Sequence, residues 1–356
     1  MKKSTSSRVF IALFLALCLA PSLGILVLGP STGGYNEILS PAPALKGEDG
    51  GLNPQVLSES ADWLGDHFAL RQELTLCWAR LNAALFHTSV NDQVVLGSGG
   101  WLYYAPTLDD YRGASLDGET LDAIVDNLRA LQGYVEERGG RFLFVTAPNK
   151  NSLYPEHMPE RLPGRHETAP YGQLLPRLQA AGVPTVDLAA LLGAAGETLY
   201  YRTDSHWTAK GAALAADGIL RALGRDSDGS AHVFVPGAPR AGDLYRMLYP
   251  GAHGEEPELL DTAPHGHVCL ADPRQGDAIR IETRCERGEG TLFCWRDSFG
   301  AALYPYLADS FGEAAFSRSA VYDPEKLAID ENSVVILEIV ERDIPKLADS
   351  SRFPME

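Results

Sequence analysis

The chain has 356 residues, 45% hydrophobic and 22% charged, which is enough for one large or two small globular domains and too apolar for a disordered chain. Its formal net charge of −17 repels phosphate backbones and argues against nucleic acid as a partner. Five cysteines occur without any C-x-x-C pair, so neither a zinc ribbon nor a thioredoxin-type redox site is indicated.

In chain order, Lys2, Lys3 and Arg8 precede an uncharged run, "VFIALFLALCLAPSLGILVLG", from Val9 to Gly29. About 20 apolar residues span a bilayer, and a basic flank keeps the N-terminus inside and sends the rest across. Residues 1–29 therefore read as a single-pass membrane anchor. A cleaved signal peptide is the rival reading, with Pro21, Ser22 and Gly24 near its cleavage point. Either way the body is expected to work outside the cytoplasm. There a Cys269–Cys285 disulfide is permitted, and free thiols are the alternative.

Residues 30–52 are rich in Pro, Gly and Ser and read as a linker; the main domain is expected over 53–356. Residues 53–86 show helical spacing of apolar residues, and 94–106 read as strand, glycine turn and aromatic strand. From 118 on, helical and strand patterns alternate. "GETLDAIVDNLRALQGYVEERGG" is an amphipathic helix and "RFLFVTAPNK" a buried strand ending in a polar loop. "QLLPRLQAAG" is helical, "VPTVDL" is a short strand, and a further helix starts at Thr208, a good N-cap. Residues 225–290 read as an insertion of loops and hairpins. After it come a buried strand, "TLFCWR", a turn and helix, and a last buried strand, "VVILEIV". Continuous apolar strands alternating with helices predict an α/β fold, a parallel sheet with helices on both faces. Catalytic groups of such folds sit at the carboxyl ends of the strands.

Two short blocks carry the chemistry. Ser298 follows an apolar strand and precedes a helix, where backbone N–H groups are free to hold an oxyanion. Asp204 and His206 also stand just before a helix. A serine needs a base to take its proton, and the base needs a carboxylate to fix its tautomer. Ser298, His206 and Asp204 fill these roles. If residues 204–206 are extended, Asp204 and His206 share a face and Ser205 points away. The competing reading makes Asp297 and Ser298 mere helix caps.

The blocks "GGWLYY" (99–104), "APNKNSLYP" (147–155), "TDSHWTAKGA" (203–212), "GDLYRML" (242–248), "RDSFG" (296–300) and "VVILEIVER" (334–342) resemble, in this order, the AlgJ/AlgX-like alginate O-acetyltransferase family of SGNH-hydrolase-like proteins. The resemblance runs from about residue 55 to 345. It implies a flavodoxin-like sheet, a triad of Asp204, His206 and Ser298, and the permuted order in which the serine block comes last. Arg296 stands where ordinary SGNH enzymes have the glycine of G-D-S. The family implies acetyl transfer to an exported polysaccharide, no cofactor, and a membrane-bound O-acyltransferase as acetyl-donor partner. Candidates for substrate or oxyanion contacts are Asn149, Lys150, Trp207, Arg296 and Phe299, with a walling role as the alternative for Trp207 and a loop role for Asn149 and Lys150. The string His265, His267, Cys269 lacks a fourth ligand and indicates no metal. The rivals in function are an SGNH carbohydrate esterase, which shares the acyl-serine, and a non-catalytic subunit of an export machine.

Overall fold

The computed structural model describes residues 3–33, 37–47, 50–164, 169–225, 232–271 and 279–355. The chain divides into two units, Met1–Leu96 with Ala241–Gly254, and Gly97–Arg240 with Glu255–Glu356. Residues 53–96 fall in the first unit together with Ala241–Gly254, a short part of the 225–290 segment.

The first unit contains the helices Lys3–Leu28, Val56–His67 and Arg71–Phe86, the strand β1 (Val94–Leu96) and the short helix Asp243–Leu248. The expected helical stretch over 53–86 is two helices, separated where Leu70 takes the left-handed φ of 64°. No single helix among the described residues is long and apolar enough to cross a membrane. Ser7–Ala20 and Ser22–Leu28 pass that test only together, bent by 53°.

The second unit holds the sheet. Its strands are β2 (Leu102–Tyr104), β3 (Arg141–Ala147), β4 (Thr185–Val186), β5 (Phe234–Arg240), β6 (Glu256–Asp261), β7 (His267–Cys269), β8 (Arg280–Cys285), β9 (Thr291–Arg296), β10 (Glu313–Arg318) and β11 (Ser333–Val340). Seven of them pair in the order β4-β3-β11-β9-β10-β8-β7. The first five are parallel, and β8 and β7 add an antiparallel edge. The expected insertion thus supplies both the two edge strands and the separate β5–β6 hairpin.

Alternation along the strands builds a core on each face. Leu143, Val145, Ala147, Leu292, Val334, Ile336 and Val340 pack under the helices Leu188–Gly193, Ala209–Ala222 and Gly300–Ala308. Phe142, Phe144, Val335, Leu337 and Ile339 pack under Gly118–Glu136 and Pro170–Ala181. All eight residues of β11 are buried, and each large apolar one contributes about 1.5–3 kcal/mol. The helix Gly118–Glu136 starts where Asp117 accepts the Thr120 N–H at 2.7 Å, and it buries Leu121, Ile124, Leu128, Leu131 and Val135 at helical spacing.

Cys269 lies opposite Thr283, and Cys285 lies opposite His267, so the two cysteines are diagonal rather than paired. Both are free thiols. Diagonal neighbours stand roughly 7–8 Å apart, beyond the reach of a disulfide.

Candidate active site

The carboxyl ends of β3, β9 and β11 lie side by side, and the polar residues that follow them gather there. After β9, Asp297 accepts the N–H groups of Phe299 and Val340, both at 2.7 Å, and donates its own N–H to Glu338 Oε2 at 3.0 Å. These three bonds tie the end of β9 to β11 and fix the turn that presents Ser298. The helix Gly300–Ala308 then starts against the sheet. A Cβ on Gly300 would come within 2.5 Å of Arg296 Cβ and 2.9 Å of Glu338 Oε2, so only glycine fits. Among the described residues nothing accepts the N–H groups of Ser298 and Gly300. Both stand at a helix N-terminus, ready for an anionic oxygen.

His206 Nε2 lies 2.9 Å from Ser298 Oγ, and His206 Nδ1 lies 2.7 Å from Asp204 Oδ1. An ionised carboxylate only accepts, so Nδ1 carries the imidazole proton and Nε2 is left to receive that of Ser298. Asp204 is 2% exposed. Its second oxygen, Oδ2, accepts from Arg240 at 2.7 Å. The helix behind the histidine begins at Thr208, whose hydroxyl caps the Gly211 N–H at 3.2 Å. Gly211 passes so close to Leu199 that a Cβ would lie 2.4 Å from its carbonyl oxygen.

Residues 94–268 match the family model described as "SGNH hydrolase-like domain, acetyltransferase AlgX". This segment, just under half of the chain, is similar to AlgX-type, SGNH hydrolase-like domains. The "Probable alginate O-acetylase AlgJ" of Pseudomonas syringae pv. tomato is 32% identical over 208 residues, 55% of this chain and 51% of that protein. The chain thus spans about half the length of this curated relative. The protein of the same name from Azotobacter vinelandii is 27% identical over 315 residues, 81% of this chain and 79% of that one. The structure of Bacillus cereus PatB1 superimposes with a TM-score of 0.55 at 16% identity, over 70% of this chain and 96% of that chain; it shares the fold. The family match ends before Ser298, so the position of the serine rests on its own geometry.

The loop that carries Asp204 and His206 is not extended. Residues 202–206 form consecutive bends, because Asp204 Oδ1 also accepts the His206 N–H at 3.1 Å. The bend brings Ser205 Oγ to 3.2 Å from His206 Nδ1, in place of the outward direction that an extended segment requires. The second unit holds this loop from two sides. Glu256, at the start of β6, accepts the N–H groups of Arg202 and Thr203 at 2.7 and 2.9 Å. In β2, the Leu102 N–H donates to the Arg202 carbonyl at 2.8 Å.

The five residues expected to touch substrate or an oxyanion are all buried and turned to the protein. Lys150 donates to the carbonyl oxygens of Tyr201, Arg202 and Asp204 at 2.8, 2.8 and 2.9 Å, with its ammonium 5.2 Å from the ring centres of both Trp101 and Tyr103. Asn149 gives its amide to Asp110 at 3.0 Å and its backbone N–H to Glu341 at 2.7 Å. Burial pushes the carboxyl groups of Asp110 and Glu341 up to about 6 and about 7. Arg296 lies beneath the turn and donates to the Asp297 carbonyl at 2.9 Å. Phe299 packs on His206 with ring centres 4.7 Å apart, and its carbonyl accepts from Trp207 Nε1 at 3.2 Å. Trp207, 2% exposed, is therefore a wall of the site and not a stacking platform. These side chains set the shape of the site; the groups free to meet a reacting carbonyl are backbone amides.

Sequence reasoning missed Arg240 and Glu256, which sit in the segment read as loops and hairpins and bear no local signal. It also missed Arg342, which follows β11 with its guanidinium 5.8 Å from the Phe299 ring centre.

Removal of the Lys150 ammonium leaves the carbonyls of Tyr201, Arg202 and Asp204 without this donor. Lys150→Met is expected to lower turnover by about 10²-fold through misplacement of His206, with KM nearly unchanged. Steady-state kinetics together with a melting curve check this. A folded variant with the wild-type rate would remove Lys150 from the support of the loop.

Proposed function

We propose that this protein is an extracytoplasmic O-acetyltransferase that acetylates hydroxyl groups of an exported polysaccharide through an acetyl-serine on Ser298. The observation that carries this reading is the unbroken chain from Ser298 Oγ through the His206 ring to Asp204, at 2.9 and 2.7 Å. The names of its relatives, probable alginate O-acetylases, support acetyl transfer as the reaction.

In this reading Ser298 Oγ attacks the acetyl carbonyl while His206 Nε2 takes its proton, and the Ser298 and Gly300 N–H groups receive the oxyanion. His206 then hands the proton to the departing group of the donor, which leaves acetyl-Ser298. In the second half His206 takes the proton of a sugar hydroxyl, whose oxygen attacks the acetyl carbonyl; the ester bond to Ser298 breaks and Oγ regains a proton. Asp204 holds the Nδ1–H tautomer throughout and stabilises the imidazolium, and Arg240 holds Asp204 in place.

The apolar N-terminal segment would hold the domain at the outer face of the membrane. A membrane-bound O-acyltransferase would bring the acetyl group across, since activated acetyl groups are made inside the cell. An esterase uses the same acyl-serine with water as acceptor. Full-length protein incubated with an activated acetyl ester and a neutral or uronate oligosaccharide separates the two. Acetylated oligosaccharide is the expected product. Free acetate alone, at every acceptor concentration, overturns transfer in favour of hydrolysis.

A further inference from the structure

Outside the triad, one carboxylate gathers two imidazoles. Asp309 directly follows the helix Gly300–Ala308, at the end remote from Ser298. His265 Nδ1 lies 2.8 Å from Asp309 Oδ2, and His267 Nδ1 lies 2.7 Å from Oδ1. The N–H groups of Gly266 and His267 donate to the same Oδ1 at 2.8 and 2.9 Å, which fixes the carboxylate against β7. The two ring centres are 5.2 Å apart, and one donor atom from each of the three residues lies within 4.8 Å of the others. A third imidazole, His232, stands 6.3 Å from His265 between ring centres. Its Nδ1 is 2.6 Å from Asp261 Oδ2, yet both atoms are buried out of line for a hydrogen bond. None of these groups has a part in the acyl chemistry.

We propose that His265, His267 and Asp309 form a binding site for one divalent transition-metal ion of the zinc class. Two imidazoles and a carboxylate are the donor set such ions take, with nitrogen and oxygen ligands at about 2.0–2.2 Å. Donors arranged tetrahedrally at that radius are roughly 3.3 Å apart. The present 2.7 and 2.8 Å contacts need to open by only about half an ångström as the metal replaces the hydrogens between them. A neutral ring moves its hydrogen from Nδ1 to Nε2 on binding, and a protonated ring releases one proton to solvent. Water, or His232 after a side-chain rotation, completes the shell. The Gly266 and His267 amides supply the outer support that metal-ligating carboxylates require.

The site is structural. Nine helical residues extend about 14 Å, so an ion at Asp309 cannot touch the acyl group on Ser298. It pins the start of the antiparallel edge to the far end of the helix that begins at the serine. The inference stands independently of the acetyl-transfer reading.

The test is a titration of full-length protein, stripped with a chelator, first with Co²⁺ and then with Zn²⁺. One Co²⁺ is expected to bind with a Kd below about 100 μM, with visible d–d absorption and no thiolate charge-transfer band, and to be displaced by Zn²⁺. With Zn²⁺ at about 100 times its Kd, the melting temperature is expected to rise by several degrees. Affinity falls at least tenfold in His267→Ala and in the milder His265→Gln, whose half-exposed side chain is removed without opening the core. No binding up to about 1 mM, a thiolate band, or unchanged affinity in His265→Gln overturns the site.

Discussion

Ser298→Ala is expected to leave a folded protein that forms no acyl-enzyme, with turnover lower by about 10⁴–10⁶-fold. Triad nucleophiles give losses of this size because the remaining base and oxyanion donors have nothing to activate. Stability is expected to change by less than about 1 kcal/mol. Ser298 is only half-buried, and the turn that carries it is held by Asp297 and Gly300 rather than by its own hydroxyl. Intact-mass spectrometry after exposure to an activated acetyl ester reads the adduct directly: a gain of one acetyl group in the wild type and none in the variant. The same gain in Ser298→Ala would place the nucleophile elsewhere and end the triad assignment, even if transfer itself remained. Were the serine only a helix cap, the variant would lose about 1 kcal/mol of stability and keep its rate.

Asp204→Asn is the second large effect, a loss on the order of 10³–10⁴-fold in turnover. An amide at 204 can point an N–H at the imidazole, which favours the tautomer with its hydrogen on Nε2, and that histidine can no longer accept the Ser298 proton. The substitution also takes the anionic partner from Arg240, so a drop in melting temperature accompanies the kinetic loss. The two effects are separable. Arg240→Gln removes the ion pair but leaves the carboxylate on His206, and is expected to share the stability loss with a far smaller kinetic one. Ser205→Ala, which takes away only the hydroxyl 3.2 Å from Nδ1, is expected to cost about tenfold or less. Rates and melting temperatures of the three variants decide the matter. A folded Asp204→Asn protein with near wild-type turnover would sink the role given to Asp204.

Much of this architecture is legible in local sequence. The strand β11 is a mostly apolar run, and Asp117 with Leu121, Ile124, Leu128, Leu131 and Val135 at helical spacing marks the helix Gly118–Glu136. The blocks around Asp204 and Ser298 are legible for a different reason. A carboxylate two residues from a histidine, and a serine between a buried strand and a helix, are demands of the chemistry written over a few positions. Other elements leave no such trace. The parallel strand β10 reads "EAAFSR" and buries only Ala314 and Phe316; it is a strand because β9 and β8 pair with it on either side. The left-handed Leu70 that divides the first unit's helices lies in a sequence with continuous helical spacing.

The sequence by itself determined the class of fold, the two blocks proposed as catalytic and the apolar N-terminal run, since each rests on periodicity or chemistry within a dozen residues. Only the tertiary structure decided what holds the blocks in register. Ser298 meets His206 across 92 positions, Lys150 reaches the loop 51 to 54 residues on, and Arg240 returns from a hairpin 36 residues away to Asp204. It likewise turned the five expected substrate contacts inward and brought Asp309 to His265 and His267. Such contacts depend on which strands lie adjacent and on how loops close, and that is set by the packing of both faces of the sheet at once rather than by any local run of residues.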